Sequence, residues 1–158
     1  MGRPEKTDRL KLQVRDRDDL QILSSLLQDA LIAASDLHFD QARKEFFLIC
    51  NRFCWEKLPN EADRDQTAQI WRRALCGVRI GTVSQVRMKG FANRQKAPGF
   101  YNLLSISYEN SADRLDWVFS GAARLQMQID RLEIVLADLG PDHPAFAKPG
   151  HDSPAGPE

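Results

Sequence analysis

The chain has no uninterrupted apolar run near the roughly 20 residues that a helix needs to cross a bilayer. Its first residues, Met1-Gly2-Arg3-Pro4-Glu5-Lys6, lack the apolar centre of a secretory signal, and Lys6 stands where a myristoylation signal wants Ser or Thr. Those absences predict a cytoplasmic protein without membrane contact. Cysteine is scarce. Cys50, Cys54 and Cys76 form an odd set, without the paired spacings of a secreted disulfide framework or a four-ligand zinc site. They are expected as buried, reduced thiols, with no metal or other cofactor implied. Before His143 the chain has a single histidine, His38. Nucleophile-elbow, phosphate-loop and dinucleotide-binding motifs are all missing. No catalytic residue is assigned on these grounds, and binding is favoured over catalysis.

The most informative absence is of one sign of charge. All 22 acidic residues lie outside Gln66 to Tyr108, a stretch of 43 residues that carries Arg72, Arg73, Arg79, Arg87, Lys89, Arg94 and Lys96. The 22 basic residues balance the acids overall, so a neutral total hides a positive middle. Clustered cations create a field that interspersed charges cancel, which points to an anionic partner.

What is present suits one domain. At 158 residues, with 42% hydrophobic and 28% charged, the chain sits near the globular average. Residues 1–8 read as a mobile leader, 9–140 as a single globular unit, and 141–158 as a disordered tail holding five of the eight prolines. Leu10, Leu12 and Val14 alternate as in a strand. From Asp18 to Ala34, Leu20, Leu23, Leu26, Leu27, Ala30 and Leu31 recur at spacings of three and four, predicting a long amphipathic helix capped by Asp16 or Asp18. Leu37 and Phe39, then Phe46 to Trp55, read as a hairpin, its second arm central and buried on both faces.

Residues 72–80 and 82–91 read as paired strands around Gly81. A simple turn there would bury Arg87 and Lys89 among aliphatics, so a bulge near Ser84 and Gln85 is required to turn Arg79, Arg87 and Lys89 outward together. Alternation in Leu104 to Tyr108, Leu115 to Phe119 and Ala123 to Ile129 predicts a meander. Leu132, Val135, Leu136 and Leu139 fit a short C-terminal helix, although Leu132, Ile134 and Leu136 also fit a strand; helix is preferred. The expected fold class is α+β: an antiparallel sheet, curled into a roll or partial barrel, packed against one long N-terminal helix.

Several local strings occur together: Leu26-Leu27-Gln28-Asp29-Ala30-Leu31, Asn51-Arg52-Phe53 with Trp55, Val86-Arg87 with Gly90, and Asp138-Leu139-Gly140. In these the chain resembles an uncharacterised bacterial family, domain-of-unknown-function family 2948, over most of Arg9 to Gly140. The resemblance implies a bacterial cytoplasmic protein and carries no active-site residues with it.

Two functional readings follow. In the leading one, Arg79, Arg87 and Lys89 on a sheet face, with Arg94 and Lys96 in the next loop and Phe91, Phe100 and Tyr101 nearby, make a non-catalytic binding module for an acidic protein, a nucleotide or RNA. In the alternative, Asp36, His38 and Asp40 share one face of an extended segment and serve a small metal-dependent enzyme. Against the alternative, Leu37 and Phe39 supply the buried face there, which leaves the three polar residues in solvent. Oligomeric state is not encoded in any of these patterns.

Overall fold

Among the described residues, alternation between inward and outward side chains marks most of ten strands, interrupted by one short α-helix and three single 3-10 turns. The computed structural model describes residues 9–57, 71–91 and 99–145; Met1 to Asp8, Arg94, Lys96 and the chain beyond Ala145 lie outside them. The α+β expectation is corrected: the fold is predominantly antiparallel β, with α1 (Arg17–Leu26) too short to be the long helix layer foreseen.

β1 (Lys11–Val14) leads into α1, whose start is fixed by Asp16. Its carboxylate accepts a 2.8 Å hydrogen bond from the Asp19 backbone N–H, satisfying one of the donors that a helix leaves open at its N-terminus. Asp16→Ala is therefore expected to lower stability by about 1 kcal/mol, measurable by urea denaturation, with β-sheet content unchanged. Leu20, Leu23 and Leu27 are buried as the spacing requires. The periodicity then misleads. Asp29 turns into the left-handed region at φ 63°, its N–H donates to the Leu103 carbonyl at 2.8 Å, and the Ala30 carbonyl accepts from Leu103 N–H at 2.9 Å. The Asp29 N–H and the Ala30 carbonyl thus bond to a distant strand in place of continuing the helix, while the Ala30 N–H reaches back to Leu27 O.

That turn opens β2 (Leu31–Asp40), which forms the expected hairpin with β3 (Glu45–Phe53). β3 lies between β2 and β4 (Trp71–Ile80), so its central position is as foreseen. It is not buried on both faces. Phe46, Leu48, Cys50 and Arg52 point inward, whereas Ile49 is 39% exposed on the opposite side. The unbroken apolar run reflects an apolar outer face, continued by the exposed Leu75 and Leu139, rather than a second buried layer.

β4 and β5 (Val83–Lys89) do not pair with each other, contrary to the hairpin foreseen around Gly81. The Gly81 N–H donates to Glu133 O, Thr82 sits at φ 57°, and Val83 N–H donates to Lys44 O. These bonds carry the chain from one half of the sheet to the other. The meander of β6 (Phe100–Glu109), β7 (Arg114–Phe119) and β8 (Arg124–Ile129) is present, and β5 pairs along β8. The expected bulge exists at Ser84, as a register shift between Val83 and Gln85, but against β8.

The preferred C-terminal helix is also overturned. Residues Ile134–Asp138 form β9, inserted between β1 and β4, where both edges find hydrogen-bond partners. Ile134 and Leu136 are buried and Leu139 is 52% exposed, the strand parity and not the helical one. Order extends past Gly140: β10 (His143–Ala145) pairs with β4, and Asp142 accepts a 2.7 Å bond from Arg72 Nε, so the segment from 141 is not wholly a disordered tail.

The strand path is β1-β9-β4-β3-β2-β6-β7-β8-β5, with β10 beside β4. β6 joins the two halves, pairing with β2 through Phe100 to Asn102 and with β7 through Leu103 to Glu109. Both halves send side chains into one core, with Trp117, Phe46, Phe119 and Leu23 among its members. Among the described residues no helix is long and apolar enough to cross a membrane.

Candidate anionic-partner interface

Strand parity and pairing decide which cations share a surface. On β5, Val83 is buried while Val86 and Met88 are half-buried against the core; Gln85, Arg87 and Lys89 face out. On β8, Leu125, Met127 and Ile129 face in, so Arg124, Gln126 and Gln128 face out beside them. The register then builds three rows across β5, β8 and β7. Gln85 meets Gln128 and then Arg114; Arg87 meets Gln126 and then Asp116; Lys89 meets Arg124 and then Val118. A groove of about 160 Å³ runs over the first two rows, lined by Gln85, Arg87, Arg114, Gln126, Met127 and Gln128.

The electrostatics of this face are unbalanced. Asp116 is buried between Arg114 at 3.4 Å and Arg124 at 3.6 Å, and Glu109 also pairs with Arg114. Those carboxylates restrain two arginines from below and from the side. Among the described residues, neither Arg87 nor Lys89 has an ion-pair partner. Lys89 stands directly opposite Arg124, and like charges directly opposed across strands oppose folding by roughly 0.2–1 kcal/mol.

Arg79 does not join this group. It lies on β4, in the other half of the sheet, and pairs with Glu45 at 3.5 Å. The outward patch foreseen for Arg79, Arg87 and Lys89 together is therefore split by the absence of a β4–β5 hairpin. Arg94 and Lys96 fall outside the described residues. Arg114 and Arg124, which sequence reasoning did not select, replace Arg79. The alternation Arg124, Gln126, Gln128 against Leu125, Met127, Ile129 already marked their face as outward; what was missing was the β5–β8 pairing.

The aromatic side chains expected to stack bases are engaged elsewhere. Phe91 packs edge-on against Tyr101 at 4.9 Å and Phe119 at 5.4 Å. Phe100 is 68% exposed but sits where β6 meets β2, away from the three rows.

The metal reading finds no geometry. Asp36 and His38 are exposed on β2, while Asp40 accepts the Arg43 backbone N–H at 3.2 Å and closes the hairpin turn. Among the described residues no three His, Cys, Asp or Glu side chains approach closely enough to hold a metal ion.

Two arginines of the opposite half are withdrawn from solvent, one fully and one in part. Arg52 is 1% exposed; its Nε and Nη2 donate to the two carboxylate oxygens of Asp138, and Nη1 to both oxygens of Glu56, each at 2.9 Å. Burial opposes the charged guanidinium, but the hydrogen bonds and charges of Asp138 and Glu56 outweigh it and hold the proton above the usual arginine range. Arg73, half-buried over the Phe53 ring at 5.7 Å, is lowered by burial, with Asp29 and Cys54 opposing. The three cysteines are buried, as expected, and form no disulfide, and Cys50 faces Cys76 across β3 and β4.

A family model described as a protein of unknown function (DUF2948) matches residues 10–151. No curated protein and no solved structure matches the chain.

Proposed function

We propose that this chain, which belongs to the DUF2948 family, works as a non-catalytic interaction module whose β5–β8–β7 face holds an acidic segment of a partner protein. The observation that carries the reading is the directly opposed pair Lys89 and Arg124, with Arg87 beside it and no counter-ion for either β5 cation among the described residues. Stability alone favours opposite charges at such positions, so an external anion is the natural complement. Arg87 and Arg114 over the groove supply guanidinium donors for carboxylates, and Gln85, Gln126 and Gln128 supply donors and acceptors for a peptide backbone.

Strand geometry favours an extended ligand. β5 ends the strand path and pairs only with β8 among the described residues, which leaves an edge along which a peptide strand can add. RNA is the less favoured partner, because no aromatic side chain projects from the three rows to stack a base. Three buried cysteines with no disulfide among them support a reducing compartment such as a bacterial cytoplasm as the place of action.

The test compares a poly-glutamate peptide with a single-stranded RNA homopolymer as ligands, by fluorescence anisotropy over a range of salt. Wild type is expected to bind the acidic peptide more tightly than the RNA, with affinity falling as salt rises. Lys89→Glu is expected to weaken peptide binding at least about tenfold while raising stability by about 0.2–1 kcal/mol, since it converts a like-charge pair with Arg124 into an opposite-charge pair. Equal peptide binding by wild type and the variant would remove the proposal, and tighter binding of RNA would replace the partner class.

A further inference from the structure

Cys50 and Cys76 are direct cross-strand partners in the β3–β4 register, at the middle of the half-sheet that carries the Arg52 ion pair. Both are buried, and their sulfurs lie 2.9 Å apart. Two sulfurs in ordinary contact stand farther apart than this, and a disulfide bond needs an approach of only about 0.9 Å more. The backbone is already suited to it: directly opposed antiparallel residues have Cα atoms about 4.5–5.5 Å apart, inside the span of disulfides of roughly 4.4–6.8 Å. Cys54 is excluded by distance. It follows the end of β3, four residues from Cys50, which along a strand is about 13 Å.

We propose that Cys50 and Cys76 are a dithiol modification site, converted by a hydroperoxide into an intrachain disulfide, with Cys54 a bystander. The inference is independent of the β5–β8–β7 face, which lies in the other half of the sheet. In the first step one thiol of the pair attacks a peroxide oxygen; the O–O bond breaks, a sulfenic acid forms and water leaves when hydrogen peroxide is the oxidant. In the second step the other sulfur attacks the sulfenic sulfur, the S–O bond breaks, and a second water carries away the hydroxyl and the remaining thiol proton. Two thiols are oxidised by two electrons and one peroxide is reduced.

Burial makes the reaction slow and selective. The hydrogen bond that the Cys76 thiol shares with Cys50 and desolvation hold the Cys76 proton on and disfavour its thiolate. Oxidation therefore waits on transient parting of β3 and β4, after which the partner sulfur is the nearest nucleophile and captures the sulfenic acid before further oxidation. The closed bond encloses the excursion between the two cysteines, which are 26 positions apart, and is expected to raise the thermal midpoint by about 5–10 °C.

The experiment exposes the full chain to hydrogen peroxide, unfolds it in an alkylating reagent, digests it without reductant and maps the peptides by mass spectrometry. Expected is a linked peptide joining Cys50 to Cys76, reversed by dithiothreitol, with Cys54 alkylated; Cys54→Ala gives the same link and the same rise in midpoint. Any bond that uses Cys54, sulfinic products at Cys50 or Cys76 in place of the link, or three fully alkylated thiols after prolonged exposure would each overturn the proposal. Using wild type and Cys54→Ala keeps the core pair intact, so a folding defect cannot imitate a negative result.

Discussion

Arg52→Ala is expected to destabilise the protein by about 3–5 kcal/mol, the largest loss from any single charged side chain. The guanidinium spends its donors on four carboxylate oxygens, two from Asp138 and two from Glu56, and Asp138 also accepts the Leu10 backbone N–H at 2.8 Å. With Arg52 gone, the Asp138 carboxylate, 3% exposed, keeps one backbone donor and loses its counter-charge. That is the arrangement in which a buried pair is costly to break although it adds little by existing. Urea unfolding followed by tryptophan fluorescence measures the loss. A double replacement, Arg52→Met with Asp138→Leu, is expected to recover most of it, because both charges leave together. Arg52→Lys is not expected to substitute, since an ammonium cannot grip two carboxylates with a planar fork. If the double variant is as unstable as Arg52→Ala, packing of the arginine stem and not charge compensation is what β3 requires.

Trp117 provides the second large effect. It has the greatest volume among the fully buried side chains and sits on β7 between β6 and β8. Trp117→Ala is expected to cost about 3–5 kcal/mol, from lost burial together with the cavity left in a core that relaxes only in part. Trp117→Phe is expected to cost far less than its lost volume suggests. The indole Nε1 is buried with no hydrogen-bond partner among the described residues, and removing an unsatisfied donor returns part of its desolvation cost, roughly 1–3 kcal/mol. Denaturation midpoints for the two variants separate these terms. A Phe variant as unstable as the Ala variant would mean that the indole nitrogen is satisfied in solution, by a water for example.

The two halves of the protein divide these roles. Arg52 ties β3 to β9 and the Trp55–Lys57 turn, while Trp117 fills the space under the β5–β8–β7 face. One ion pair, Arg52 with Asp138, joins the strings Asn51-Arg52-Phe53 and Asp138-Leu139-Gly140 across the sheet. Arg52 and Asp138 lie in the other half of the sheet from the proposed interface, so loss of stability at Arg52 and loss of peptide binding at Lys89 are separable measurements.

Legibility differed by the range of the interaction. Period-two alternation located the β1 strand and the β6–β7–β8 meander, because each is set by which neighbouring side chains can share a buried face, and the polar turn between apolar arms located the β2–β3 hairpin. The bulge foreseen for a β4–β5 hairpin is present at Ser84, but the hairpin is not, and the bulge lies in the pairing with β8. The same local rules failed where two periods fit one segment. Leu20 to Leu31 satisfies a helix throughout, yet Asp29 diverts the chain into pairing with Leu103; Leu132 to Leu139 satisfies a helix and a strand, and the open edges of β1 and β4 chose the strand.

The amino-acid sequence by itself determined the family, the inward and outward sets of most strands, the positive middle and the burial of the three cysteines, since all of these follow from residue identity and spacing between near neighbours. Tertiary structure alone decided the partners of each strand. It took β5 from β4 and gave it to β8, which separated Arg79 from Arg87 and Lys89 and brought Arg114 and Arg124 beside them. It likewise set Cys50 against Cys76 and Arg52 against Asp138. Hydrogen bonds between strands are satisfied by any neighbour of suitable register, so the sequence of one strand carries little record of its partner, and only closure of the common core selects among them.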